Sequence, residues 1–412
     1  MPKNYFTAIF ILAFIARYIF AVFSGIDNFS GPDSSRYDFT SDQILAGNYN
    51  LLVTEGNINM VLSPVYPYLM ALFKLLFSSN YILALEFFQI CLSSLSVIFM
   101  VKLAFSIYSN AKVAIFIGII YSIFPTTLYF THLFSQDTIF QSLFVISIYY
   151  YYQLVRYPDY KYVVMFGALF SLATLTKSHA LVIFPFLVMG IGFSYGLSRL
   201  FMRNCLVIAT TFLLISAPYS LFNQKVNDNF VISSSGSGLY FLVGHNDDFY
   251  RFVTNPPDRD TDDYKKLVNL DYQILNRIHL ESMDLKHSEI QKKYIIEGVK
   301  WSFNNPSKFF TLLVVNIKNF LQPGYNKLHH EFIPWLITFI ISFPIFIFAY
   351  CGIYRALLFD PRTHVGVLSI FLGMLVISII FFTQNRFRVI TIEPFYAFYA
   401  CVFFLESYQK LK

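Results

Sequence analysis

The chain has 412 residues, of which 56% are hydrophobic, 20% aromatic and 13% charged, with 30 Lys and Arg against 24 Asp and Glu for a formal net charge of +6. A charged share so far below the roughly 25% of soluble domains excludes an ordinary water-soluble protein, and the apolar excess excludes a disordered chain. The basic residues stand in ones and twos beside apolar runs, so they report membrane topology and no nucleic-acid partner.

A helix needs about 20 apolar residues to cross a ~30 Å hydrocarbon layer. In chain order, ten segments predict such helices, near 5–24, 81–105, 112–131, 136–155, 161–177, 179–198, 204–222, 332–354, 364–383 and 387–407. The runs are continuous and lack strand alternation, which excludes barrel strands. The first, from Tyr5 to Ser24 behind Lys3, is long enough to span and no small-residue cleavage site follows, so it predicts an uncleaved helix. Lys3, Lys102, Lys112, Arg156, Lys161, Arg199, Arg203, Arg355, Arg362, Lys410 and Lys412 then fall on one side. The positive-inside rule makes that side cytoplasmic, with both termini on it.

Two further apolar segments do not fit this alternation. Residues 63–78 are short and carry two prolines and Lys74, and residues 307–322 are amphipathic, with Lys308 and Lys318 off the apolar stripe. Both predict helices lying in the outer interface. Outside the membrane remain 25–62 and 223–331; the stretch 224–306 holds 22 of the 54 charged residues, twelve acidic and ten basic, and predicts a small folded α-rich domain. The expected class is an all-α polytopic membrane protein: an N-terminal transmembrane module at 1–222 with a functional first outer loop at 25–80, an extracytoplasmic domain at 223–331, and C-terminal transmembrane helices at 332–412. Cys91, Cys205, Cys351 and Cys401 all lie in apolar stretches, which implies no disulfide framework.

The unusual polar residues converge on the outer face. The first outer loop reads GPDSSRYDFTSDQILAGN, with Pro32 ahead of Asp33 and a helix expected from Ser34 to Ala46. Asp33 either caps that helix or acts as a general base toward an acceptor hydroxyl or amine. Asp137 and His132 stand at a membrane entrance, where ionisable groups are costly and often functional; Asp137 also suits a helix N-terminus, and both roles are compatible. His132 is read as an interfacial hydrogen-bonding residue. Lys177 and His179 occupy a third outer turn against the charge rule, which a phosphate-bearing ligand or a snorkelling Lys would explain. Arg386 and Arg388 stand at the mouth of the last span with Glu393 behind them, fitting either phosphate oxygens or an Arg–Glu ion pair. Arg17, two-thirds of the way out along the first helix, adds a fourth outward cation. Four such groups at separate turns favour a phosphate site. By contrast, DRDTDD at 258–263 lacks the glycine of a calcium loop, and no Walker, HExxH or GxSxG pattern occurs.

The motifs taken in order are an Arg-bearing first helix, Asp33 to Tyr37 as D-x-x-x-Y, SPVYPYL at 63–69, FPTTLYFTHLFSQDTIF at 124–140, LATLTKS at 172–178, LYFLVGHND at 239–247 and RFRVITIEPF at 386–395. This succession resembles the GT-C superfamily of polytopic glycosyltransferases, in the bacterial branch similar to protein O-mannosyltransferases and the lipid A aminoarabinose transferase. The resemblance implies sugar transfer on the outer face of the cytoplasmic membrane from a polyprenyl-phosphate-linked donor to a lipid, glycan or protein acceptor. It implies catalytic roles for Asp33 and Asp137 and substrate contacts from Arg17, Tyr37, Lys177, His179, Arg386 and Arg388. The first-loop acidic pair of the family is Asp33-Ser34 here, and the usual basic Pro-Pro entry is Ser63-Pro64-Val65, which leaves a divalent metal ion open. An inverting in-line displacement is expected. A transporter of lipid-linked sugars, or a polysaccharide polymerase or ligase, would need a similar phosphate site.

Overall fold

The structure, a computed structural model, describes residues 1–25, 33–55, 58–282, 285–324, 332–381 and 385–409. Gly31, Pro32, Thr383, Gln384, Lys410 and Lys412, which enter the sequence reading, lie outside the described residues. The order is α1 (Lys3–Ser24), α2 (Ser34–Leu45), β1 (Leu52–Glu55), β2 (Ile58–Val61), α3 (Val65–Phe77), α4 (Tyr81–Tyr108), α5 (Ala111–Ser122), α6 (Pro125–His132), α7 (Asp137–Arg156), α8 (Tyr160–Thr176), α9 (Ala180–Tyr195) and α10 (Arg199–Asn227). There follow α11 (Ser237–Val243), α12 (Asp247–Thr254), α13 (Asp262–Val268), α14 (Gln273–Glu281), α15 (His287–Asn304), α16 (Pro306–Leu321), α17 (Phe332–Phe359), α18 (Pro361–Ile380), α19 (Asn385–Thr391) and α20 (Glu393–Gln409).

Each of the ten apolar segments is mainly helical where described, and the chain is an all-α polytopic membrane protein. Five described helical stretches are long and apolar enough to cross a bilayer: α1, Val65–Tyr108, α10, Trp335–Phe359 and α18. A sixth arises if α5 and α6, bent by 51°, count as one. The bend follows from Pro125, which lacks an N–H and holds Phe124 extended (φ −66°, ψ 117°). Helices α8 and α9 are apolar but only 17 and 16 residues long. Helix α7 has the length but buries Thr138, Gln141, Ser142 and Ser147, a polar face turned inward on other helices.

The main core joins α1, α4, α5, α7 to α9, α17, α18 and α20 through buried residues such as Val97, Phe144, Phe166, Ile183, Ile370 and Tyr396. Small residues let these helices approach closely where lipid supplies no hydrophobic drive. At Gly352 of α17 a side-chain carbon would lie 2.1 Å from the Tyr399 carbonyl oxygen of α20, so only glycine fits.

The segment expected at 63–78 is α3. It buries Tyr66, Pro67, Met70 and Ala71 and leaves Leu72, Leu75, Leu76 and Phe77 exposed, as a helix against lipid would. Lys74 ties it to α2 by ion pairs to Asp38 (2.8 Å) and Asp42 (2.6 Å). Ahead of it β1 and β2 form an antiparallel hairpin, Leu52 opposite Val61, too short for its alternation to stand out in the sequence. The segment expected at 307–322 is α16, whose Lys308 pairs with Asp247 at 2.6 Å while Leu312, Asn316 and Phe320 are buried. Helices α11 to α16 enclose a separate core around Leu242, Phe252, Leu275, Tyr294 and Trp301. The acidic run at 258–263 serves local structure: Thr261 caps α13 and Asp263 pairs with Arg251 at 2.6 Å.

Candidate active site

Asp33 occupies the N-cap position of α2, as its place before Ser34 predicts, yet its carboxylate makes no capping bond to the amides of that helix. It turns instead to two guanidinium groups: Oδ2 accepts from Arg386 Nη1 at 2.7 Å and Oδ1 from Arg36 Nη1 at 3.4 Å. Asp137 opens α7 and is wholly buried. Its Oδ2 accepts from Arg386 Nε at 2.5 Å and from the Ser135 hydroxyl at 3.0 Å, and its Oδ1 accepts from Lys177 Nζ. Lys177 follows the last residue of α8 in an extended conformation, which swings its side chain off the helix toward α7. Four helix-connecting turns, far apart in sequence, thus meet at one ion cluster.

The cluster holds two carboxylates, Asp33 and Asp137, against three cations, Arg36, Lys177 and Arg386. The charge surplus is positive. A buried carboxylate is tolerated only when paired and hydrogen-bonded, which Asp137 is on both oxygens. Among the described residues no group of three or more His, Cys, Asp or Glu could hold a metal ion. Both carboxylates already face cations, so this donor set does not fit a divalent metal.

Aromatic rings frame the cluster. His179 lies against Phe140 (ring centroids 4.5 Å) and Phe387 (5.5 Å), and its buried Nε2 has no hydrogen-bond partner among the described residues. Lys177 Nζ stands 5.2 Å from the centre of the Phe387 ring. Tyr37, a turn after Asp33, packs edge-on against Tyr66 at 5.0 Å. Burial, and then the charge of Asp33, push the Tyr37 phenol well above its ordinary pKa, so it stays a neutral donor. Tyr240, from the domain of α11 to α16, is pushed up to about 12 by burial and by the same Asp33. Ser234 of that domain donates to the Ser178 hydroxyl at 2.8 Å, placing its first segment against the Lys177 turn.

The expectation that four misplaced cations share one site is corrected for two of them. Arg388 donates from Nε to Glu393 (2.8 Å), from Nη1 to the carbonyls of Asn319 (3.1 Å), Phe320 (3.2 Å) and Gln322, and from Nη2 to Gly324 (2.7 Å). Of the two sequence readings it follows the ion pair, because α19 turns about 100° per residue and sets side chains two apart on nearly opposite faces. Glu393 also accepts from Thr126 at 2.8 Å, so this pair locks α16, α6 and the start of α20 together. Arg17 donates to Ser93 (2.8 Å) and to the carbonyls of Ala13 and Ser122 (both 3.1 Å), shares no hydrogen-bonding partner with the cluster, and keeps a buried Nη2 without one. His132 is buried and paired with Glu86 at 2.7 Å, a partner for which the sequence carries no local signal.

Ser135 and Tyr240 belong to this neighbourhood although the sequence did not single them out. Ser135 could have been found as the hydroxyl two residues before Asp137; Tyr240 sits inside LYFLVGHND.

An apolar groove of about 410 Å³ opens between α3, α8 and α10, lined by Val65, Tyr68, Leu175, Ile215, Pro218 and Phe222 among others. Leu175 stands two residues before Lys177.

Two crystal structures of ArnT from Cupriavidus metallidurans are similar to the chain. The one bound to undecaprenyl phosphate shows 14% identity and a TM-score of 0.42, covering 92% of this chain and 77% of that one. The apo one shows 14% identity and a TM-score of 0.43, covering 91% and 76%. No protein of curated function matches the chain. Residues 62–222 match the family model of dolichyl-phosphate-mannose-protein mannosyltransferases, so the likeness to these membrane glycosyltransferases read from the motifs holds over the segment that contains SPVYPYL, Asp137 and Lys177.

Proposed function

We propose that the chain is a membrane glycosyltransferase that moves a sugar from a polyprenyl-phosphate-linked donor to an acceptor at the outer face of the cytoplasmic membrane. The observation that carries this reading is the ion cluster, in which Arg386 joins Asp33 to Asp137 and cations outnumber carboxylates. The match of residues 62–222 to a family that acts from a lipid-phosphate sugar supports the same substrate class. The groove that Leu175 lines suits a prenyl tail, and Lys177 and Arg386 suit the phosphate at its end.

Displacement at an anomeric carbon breaks the bond from that carbon to a phosphate oxygen and forms one to the acceptor oxygen or nitrogen. The acceptor proton must go to a base, and the departing lipid phosphate takes the bonding electrons. Asp33 is the base: when Arg386 turns to the incoming phosphate, the Asp33 oxygen it held is released for the proton. Lys177 and Arg386 stabilise the charge that grows on the phosphate in a site poor in water. Asp137 positions both cations and touches no reacting atom. His179 can donate from its unpartnered Nε2, and Tyr37 from its phenol, to oxygens of the donor. Attack opposite the leaving phosphate inverts the anomeric centre.

The test is transfer of labelled sugar from a polyprenyl-phosphate donor by membranes containing the chain. Label is expected in an acceptor with the wild type and not with Asp33→Asn. Label that merely crosses vesicles would favour transport, and full transfer by Asp33→Asn would remove the assigned base.

A further inference from the structure

Helix α7 runs 20 residues from Asp137 to Arg156, about 30 Å at 1.5 Å per residue and so one hydrocarbon thickness. Arg156 therefore marks the membrane interface opposite the ion cluster. There the ends of four helices enclose a second cavity of about 330 Å³, with Ser106 from α4, Arg156 from α7, Ser194 from α9, and Arg362 and Thr363 from α18 in its wall. None of these residues takes part in the site described above.

The wall is built for an anion. Arg156 is exposed at the cavity wall and donates one N–H to the Ser106 carbonyl, which pins the guanidinium to the end of α4. That bond uses Nη1; among the described residues no protein group accepts from its Nε or Nη2. Arg362 is exposed and forms no ion pair among the described residues. The one acid in the wall, Asp360, accepts from the Thr363 amide at 3.2 Å as the N-cap of α18, so it is engaged by that helix. The net balance is two guanidinium groups against one capped carboxylate, the hydroxyls of Ser106 and Ser194 being taken by the carbonyls of their own helices. The same wall contains the apolar side chains of Ile107 and Val155.

We propose that this cavity binds the phosphate of an anionic glycerophospholipid from the leaflet opposite the ion cluster. Arg156 and Arg362 grip the phosphate oxygens, and the acyl chains leave over Ile107 and Val155. The shared chemistry is a phosphate anion. The lipid is the source because the cavity lies at helix ends, where headgroups lie, and because its apolar wall offers nothing to a free ion.

The experiment uses the full chain, purified in a neutral detergent and titrated separately with phosphatidylglycerol, phosphatidylcholine and inorganic phosphate. Bound lipid is read by native mass spectrometry and stability by thermal unfolding. Phosphatidylglycerol is expected to bind and to raise the melting temperature, and Arg362→Gln to weaken that binding about five-fold or more, as loss of one charge-assisted contact would. Arg362→Gln breaks no bond of the described fold, so it decides the matter even where Arg156→Gln fails to fold. Equal binding of phosphatidylcholine, an equal effect of inorganic phosphate at matched concentration, or unchanged binding by Arg362→Gln would each overturn the proposal.

Discussion

Asp33 and Arg386, 353 positions apart, meet at 2.7 Å, and the same guanidinium also holds Asp137. One planar group thus spans two carboxylates, which a single ammonium on a flexible stem does less well. Arg386→Lys is expected to keep the fold and lose transfer activity by about ten-fold or more, the scale of one lost electrostatic contact in a reacting site. Arg386→Ala is expected to lose more. A lysine variant with wild-type turnover would show that bridging two acids is dispensable.

Asp137 offers a cleaner stability test because it is fully buried between Lys177 and Arg386. Asp137→Asn leaves two like charges facing each other without the acid between them. Breaking a buried pair from one side costs about 3–5 kcal/mol. Unfolding of the purified variant in denaturing detergent should therefore start well below the wild type, and removing the repulsion with Lys177→Met in the same chain should restore part of the difference.

Gln89 is a positioning residue. Its amide donates to the carbonyls of Thr131 and Leu133, both at 3.1 Å, and its oxygen accepts from Tyr66 at 3.0 Å. It thereby fixes the turn that presents Asp137 and, through Tyr66, the ring that packs on Tyr37. Gln89→Leu keeps the volume but leaves these buried groups unpaired, at about 1–3 kcal/mol each. Thermal unfolding should show the loss, and KM for the donor should rise with a smaller change in kcat, since no reacting atom is touched.

Gly352 and Gly324 test the packing behind the site. A side chain at Gly352 would strike the Tyr399 carbonyl, so Gly352→Val is expected to destabilise the α17–α20 pair by about 1–3 kcal/mol or more, as overpacking does. Gly324 holds φ +71° while its carbonyl accepts from Arg388, so Gly324→Ala should also destabilise, through backbone strain. Detergent-solubilised yield and melting temperature report both.

In the domain of α11 to α16, His287 Nε2 lies 2.6 Å from the Ser235 hydroxyl, whose oxygen accepts from the Val61 amide at 2.7 Å. Burial holds the ring's pKa below its ordinary value. The unfolded chain therefore binds a proton near pH 6.5 that the folded chain binds only at lower pH. The domain should keep full stability above about pH 6.5 and lose it as the pH falls from there toward the folded value. His287→Gln should flatten this dependence in a melting series across the range.

Much of this arrangement is legible in sequence. Long apolar runs report themselves because lipid requires them, and Asp33, Asp137, Lys177 and Arg386 stand out because charge at a membrane rim needs a reason. Which charges meet is a different matter. Arg386 and Arg388 differ by two positions, and only helical phase, given that α19 is a helix, sends one to the cluster and the other to Glu393. The partners of Arg17 are a serine and two backbone carbonyls, and nothing in their spacing announces them. The pairing of His132 with Glu86 likewise depends on how α4 and α6 cross.

The carboxylate of Asp33, by pairing with Arg386 and Arg36, leaves the amides of α2 without a side-chain cap, a deficit of about 1 kcal/mol. The segment bearing Asp33 is thus kept in shape by its neighbours, Lys74 holding Asp38 and Asp42 and Tyr66 holding Tyr37, more than by its own ends. The ion pair with Arg386 has been set against local order, and α2 should be among the first elements to loosen when α3 is disturbed.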